Sequence, residues 1–153
     1  MERGPASGLL SVAVPVEVAH RLRLGTSDAH YGGGLVSGAK LIELIHDVAT
    51  ELCIRSDGDE GLFAGYSHVA FLAPVHAGDF VEISGRIVRT GRTSREMSFR
   101  VVRYAGPRPE VSDSAADLIE PPEVVAEATG TCVVKAERQR SPSRLEPGGG
   151  SGS

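Results

Sequence analysis

The chain has 153 residues, which suits one domain with a substantial core, and its 41% apolar residues argue against a disordered protein. A net charge of −4, drawn from mixed acidic and basic residues, argues against a nucleic-acid partner. No apolar run approaches the roughly 18 residues of a membrane span, so no membrane partner is expected either.

In chain order, residues 1–14 are expected to be flexible, and they lack the basic start and cleavage site of a secretory signal. Residues 16–24, VEVAHRLRL, alternate as a strand does. From Leu35 to about Arg55 the residues Ala39, Leu41, Ile42, Ile45, Val48, Ala49 and Leu52 recur at helical spacing, predicting about five turns with one apolar face. Lys40, Glu43, His46, Asp47, Thr50 and Glu51 fall on the opposite stripe. SDGDEG then breaks the chain. Residues 62–74 read as a strand closed by Pro74. Residues 79–90 and 94–104 alternate as two more strands, joined through TGRT as an antiparallel hairpin. PRPEVSDSAADLIEPP reads as a long polar excursion, and VVAEATGTCVVKAE as a final strand. Residues 138–153, rich in Pro, Gly, Ser and Arg, are expected to form a disordered tail, which leaves 15–137 as the domain. Cys53 and Cys132 have no paired spacing and read as reduced packing residues of a cytoplasmic protein.

One helix after the first strand, followed only by strands, argues for an α+β class with the helix on one face of an antiparallel sheet. Five strands wrapped around one long central helix is the hot-dog architecture. Such a sheet leaves an edge and an apolar surface to cover, so a homodimer at least is expected.

The stretch DAHYGGGLVSGAK (28–40) is where the chemistry concentrates. A phosphate loop needs G-x-x-x-x-G-K-[ST], but Gly33 and Gly38 are followed by Ala39, Lys40 and Leu41. The dinucleotide pattern fails too, with Ser37 at its third glycine position. Two readings remain: a tight turn needing positive φ, or a helix entry whose free N–H groups and dipole suit an oxyanion. Asp47 and Glu51, four residues apart, share one helix face with Glu43. They form a solvated face, or else a partner covers them and one carboxylate is a base with a raised pKa. His30 and Tyr31 could contact a bound acyl group or simply be solvated. Arg89, Arg92 and Arg95 around the hairpin turn could grip the phosphates of a nucleotide-bearing carrier, or discourage strand aggregation. The histidines show no metal-ligand spacing, so no metal is expected, and no G-x-S-x-G elbow supports a covalent serine mechanism.

DAHYGGGLVSGAK, DVATEL, DGDEGLFAGY, FLAPVHAGDF and EPPEVVAEATG, in this order, resemble the CoA-thioester ammonia-lyases that act on 3-aminobutyryl-CoA and β-alanyl-CoA. The similarity covers roughly residues 20 to 136. It implies a hot-dog fold, active sites at a homodimer interface, and dimers that can assemble into a hexamer. It also implies reversible elimination of ammonia from a 3-aminoacyl-CoA, with no cofactor beyond the CoA of the substrate. Backbone donors at Gly33 and Gly34 would hold the thioester oxygen. Asp47 or Glu51 would be the base and the other would hold the ammonium. Tyr31, His30 or Tyr66 would assist, and Arg89 and Arg92 would bind the CoA arm. The chain departs from the family's pattern at Gly34, Ala70 and His46, where Asn, Glu and Gly are usual. An acyl-CoA thioesterase and a non-catalytic CoA-thioester binder are the alternatives on the same fold.

Overall fold

In the computed structural model, which describes residues 16–142 with 145, 147 and 148, five strands pair antiparallel in one sheet. They are β1 (Glu17–Arg23), β2 (Leu62–Phe71), β3 (Phe80–Thr90), β4 (Ser94–Pro107) and β5 (Ala116–Val133), in the spatial order β1-β3-β4-β5-β2. A single long helix, α1 (Gly38–Asp57), lies against the inner face. This is the expected hot-dog arrangement. Val81 and Ile83 of β3, Met97, Phe99 and Val101 of β4, and Val125 and Ala128 of β5 pack on Leu41, Ile45, Val48 and Leu52 of α1. Each such aliphatic side chain contributes about 1.5–3 kcal/mol by leaving water. Gly85 lets the helix come close: a Cβ there would lie 2.8 Å from both Val48 and the Phe99 ring.

The helix begins three residues later than its apolar spacing predicts. Leu35 and Val36 are held in isolated bridges with His76 and Ala29, and Ser37 caps the helix, its hydroxyl accepting from the Ala39 N–H. Gly58, left-handed at φ 62, ends it. His46 was expected on the polar stripe. It turns instead towards β2, half-buried and stacked on Phe63 at 4.4 Å.

The polar excursion is shorter than expected. β4 runs to Pro107 and β5 starts at Ala116, with Ala105 opposite Leu118, so only residues 108–115 form the turn. Residues 138–140, expected in the tail, pack on the domain. Gln139 donates to the Arg92 and Val134 carbonyls, and Arg140 donates through its backbone N–H to Asp57 and through its side chain to Gly58. The expected flexible 1–14 segment and much of the expected tail lie outside the described residues. Cys53 and Cys132 are free and buried, and the neighbouring Cys132 thiol, together with burial, pushes the Cys53 thiol up. No helix among the described residues is long and apolar enough to cross a membrane.

Candidate functional site

The glycine stretch is a loop between two anchored arms. His30 and Tyr31 donate their backbone N–H groups to the Leu35 carbonyl, and Val36 donates to Val75. Ala77 donates to the Gly34 carbonyl at 2.8 Å. Gly33 and Gly34 have φ of 75° and 78°, and a Cβ at either would meet nothing within 4 Å. The glycines are therefore required by backbone conformation and not by crowding. His30 and Tyr31 stand exposed beside them, their rings edge to face at 4.6 Å.

Along α1, Glu43 and Asp47 are exposed and Glu51 is half-buried, so the carboxylate stripe exists as predicted. Its members differ sharply. Both oxygens of Glu51 are engaged: Oε1 meets His20 Nε2 at 2.8 Å, and Oε2 accepts from Arg55 Nε at 2.8 Å. These two partners, His20 first, hold the Glu51 carboxyl below the usual carboxylate range. A base with a raised pKa is therefore not found at Glu51. Asp47, one turn earlier, has no side-chain hydrogen bond or ion pair among the described residues, and its carboxylate is uncommitted.

His20 was missed by the sequence reading, although its signal was there. It alternates with Val18 and Leu22 on β1, which points it at the helix. Tyr66 lies on β2 beside His46, with ring centroids 5.8 Å apart. Burial pushes its phenol up to about 12, so it stays neutral. Both Tyr66 Oη and His46 Nε2 are buried without a hydrogen-bond partner among the described residues.

The hairpin arginines divide. Arg95 is no phosphate ligand, because it is buried and forms a fork on Asp57, with Nε–Oδ2 at 2.8 Å and Nη2–Oδ1 at 2.9 Å. Arg89 is exposed, with Glu96 at 3.5 Å, and the Arg92 side chain is exposed at the turn. The Arg95–Asp57 pair fixes this turn at the C-terminal end of α1, whereas the glycine loop sits at the N-terminal end. A 20-residue helix is about 30 Å long, so one protomer does not bring these two groups together.

A family model, the thioesterase superfamily, matches residues 33–109. A 3-aminobutyryl-CoA ammonia lyase of Acetoanaerobium sticklandii is 52% identical over 120 residues, covering 78% of this chain and 95% of that protein. The chain belongs to the CoA-thioester ammonia-lyase family. The solved structure of another member, β-alanyl-CoA:ammonia lyase from Clostridium propionicum, superimposes with a TM-score of 0.81 at 38% identity. That match covers 86% of this chain and 93% of the other. A hexameric acyl-CoA thioesterase shares the fold at 20% identity, with a TM-score of 0.63 over 82% of this chain and 74% of its own. The ammonia lyase and the thioesterase thus share one scaffold, and a shared fold does not by itself fix the chemistry.

Proposed function

We propose that the protein reversibly eliminates ammonia from a 3-aminoacyl-CoA, such as 3-aminobutyryl-CoA, to give an enoyl-CoA. The observation that carries this reading is the 52% identity to a 3-aminobutyryl-CoA ammonia lyase. The uncommitted carboxylate of Asp47 supplies the chemistry.

The thioester acidifies the Cα proton, and Asp47 removes it. Loop N–H groups at Gly33 and Gly34 hold the developing enolate oxygen. The electron pair closes the Cα–Cβ double bond as the Cβ–N bond breaks. The β-ammonium nitrogen leaves as ammonia, which takes the proton from Asp47 and departs as ammonium. Glu51, kept ionised by His20 and Arg55, gives the ammonium a negative surface. His30, Tyr31 and the neutral Tyr66 line the acyl group, and Arg89 and Arg92 meet the phosphates of the CoA arm. The thioester itself activates the α position, so no cofactor beyond the substrate's CoA enters the scheme. The two free thiols fit a cytoplasmic protein.

The site needs a second copy of the chain. Asp47 lies ten residues beyond the Ser37 cap, about 15 Å along the helix axis. Base and oxyanion donors must each sit about 3 Å from atoms of a single acyl group. The β2 edge of the sheet, with Leu62, Val69, Phe71 and Leu72 exposed, offers the surface on which that copy docks. A homodimer joins the loop of one protomer to the stripe of its partner, and three such dimers make a hexamer.

The test is incubation with crotonyl-CoA and ammonium, following enoyl absorbance and free thiol separately. Loss of the enoyl signal without thiol release is expected. Thiol release instead would reassign the protein to thioester hydrolysis, and tight binding without turnover would make it a non-catalytic binder. The role of Glu51 has its own signature. In a His20→Leu variant its carboxyl rises towards the ordinary range, so the acidic limb of the kcat/KM profile moves to higher pH. Superimposable limbs in wild type and variant would remove Glu51 from the scheme.

A further inference from the structure

Asp79, at the turn into β3, is 2% exposed and plays no part in the chemistry described above. Its carboxylate is nonetheless fully used. Oδ2 accepts from the His76 N–H at 2.8 Å, and Oδ1 faces Arg103 Nη1 at 3.4 Å. Arg103, on β4, is itself braced by Glu123 of β5 at 3.1 Å. The backbone adds two ties, the Asp79 carbonyl accepting from Leu24 and its N–H donating to His76. Gly106 leaves the carboxylate its space, since a Cβ there would lie 2.6 Å from Oδ1.

The segment fixed in this way is the one that carries the glycine loop. Val75 accepts from Val36, Leu35 and His76 form a bridge, and Ala77 donates to the Gly34 carbonyl. A buried carboxylate costs stability unless its bonds repay the lost hydration, and this one spends a bond on the backbone of the loop's support.

We infer that Asp79 is a positioning residue: through His76 it sets where the Gly33 and Gly34 backbone donors stand, with Arg103 and Glu123 holding it in register. The inference rests on the proposed lyase reading for its catalytic consequence, but not for its structural one. Misplacing oxyanion donors by an ångström weakens an interaction made mainly in the transition state, so kcat falls while binding of free CoA, which has no acyl carbonyl, is kept.

The experiment compares Asp79→Ala, Asp79→Asn and Gly106→Ala with wild type in two readouts. These are kcat against KM for ammonia addition to crotonyl-CoA, and amide hydrogen exchange at Val36 and Ala77. The amide oxygen of Asn still accepts from His76 while its NH2 faces the Arg103 donor, so Asp79→Asn should keep more of kcat and slower exchange than Asp79→Ala. Asp79→Ala should lose kcat about 10²-fold and exchange both amides faster. Gly106→Ala displaces the carboxylate without removing it and should fall the same way, which keeps the test open if Asp79→Ala does not fold. If the folded fraction of Asp79→Ala turns over like wild type, or if its two amides exchange no faster, the inference is overturned. Fast exchange in variants of a wild type that adds no ammonia would support the positioning role and refute the lyase reading instead.

Discussion

Asp47→Asn is expected to lower kcat for ammonia elimination by about 10²–10⁴-fold, the usual contribution of a positioned general base. The substitution is nearly isosteric and removes only the ability to take a proton. Asp47 is exposed on α1 and makes no described side-chain bond, so stability should stay within about 0.5 kcal/mol of wild type. The pairing of lost rate with kept stability is the diagnostic result, read from kcat/KM beside a thermal melt. Glu51→Gln should behave differently, because it also strips His20 and Arg55 of their anionic partner. If Asp47→Asn retains more than a tenth of wild-type kcat, the base is another group.

The largest effect on stability is expected from Arg95→Ala. The guanidinium holds Asp57 through two bonds and also donates to the Gly91 and Ser94 carbonyls. It thereby ties the end of α1 to the β3–β4 turn. Removing it leaves the Asp57 charge buried with only the Ser56 hydroxyl as a side-chain partner, a loss of about 3–5 kcal/mol and a fall in Tm on the order of 10 °C. A double replacement of both residues by apolar side chains should recover much of that loss. The effect also has a pH signature. Hydrogen bonds from Arg95 above all, with help from Ser56, hold the Asp57 carboxyl below its ordinary range. A folded pKa below the unfolded one stabilises the protein above about pH 4, and that margin disappears as pH falls through the folded value. Wild type and Arg95→Ala should therefore differ widely at neutral pH and converge in acid. An equal difference in Tm at both pH values would mean that the pair contributes through packing alone.

Much of the fold was legible because its periodicities are clean. The alternation through Val81, Ile83 and Gly85, and again through Met97, Phe99 and Val101, is that of strands with one buried face. The helix could be read from its apolar stripe, but not its first turn. Leu35 and Val36 continue the apolar pattern, yet β-bridges to Ala29 and His76 claim them before Ser37 caps the helix. Prolines and acidic residues hid the start of β5, because its first residues project beyond the core and pair only with the end of β4.

At the site, the carboxylate stripe follows from spacing alone, whereas the glycine run fits both a positive-φ turn and a helix entry until its dihedral angles are seen. Partnerships do not follow from spacing. Local sequence carries no sign that Glu51 would meet a histidine 31 residues away, or that Arg95 would turn inward to Asp57 while Arg89 and Arg92 stay outside. Tertiary packing chose among residues that composition made look alike. His46 shows the same thing in reverse: a polar residue on a polar stripe found an aromatic partner in Phe63 and left the stripe.

The most direct test of the account follows 3-aminobutyryl-CoA by NMR in deuterated water with the wild-type protein. If Asp47 removes the Cα proton and elimination is reversible, crotonyl-CoA and ammonium appear together, and the remaining substrate gains deuterium at Cα. Accumulation of 3-aminobutyrate and free CoA, with Cα still fully protonated, would mean that the thioester carbonyl is the point of attack and would contradict the account.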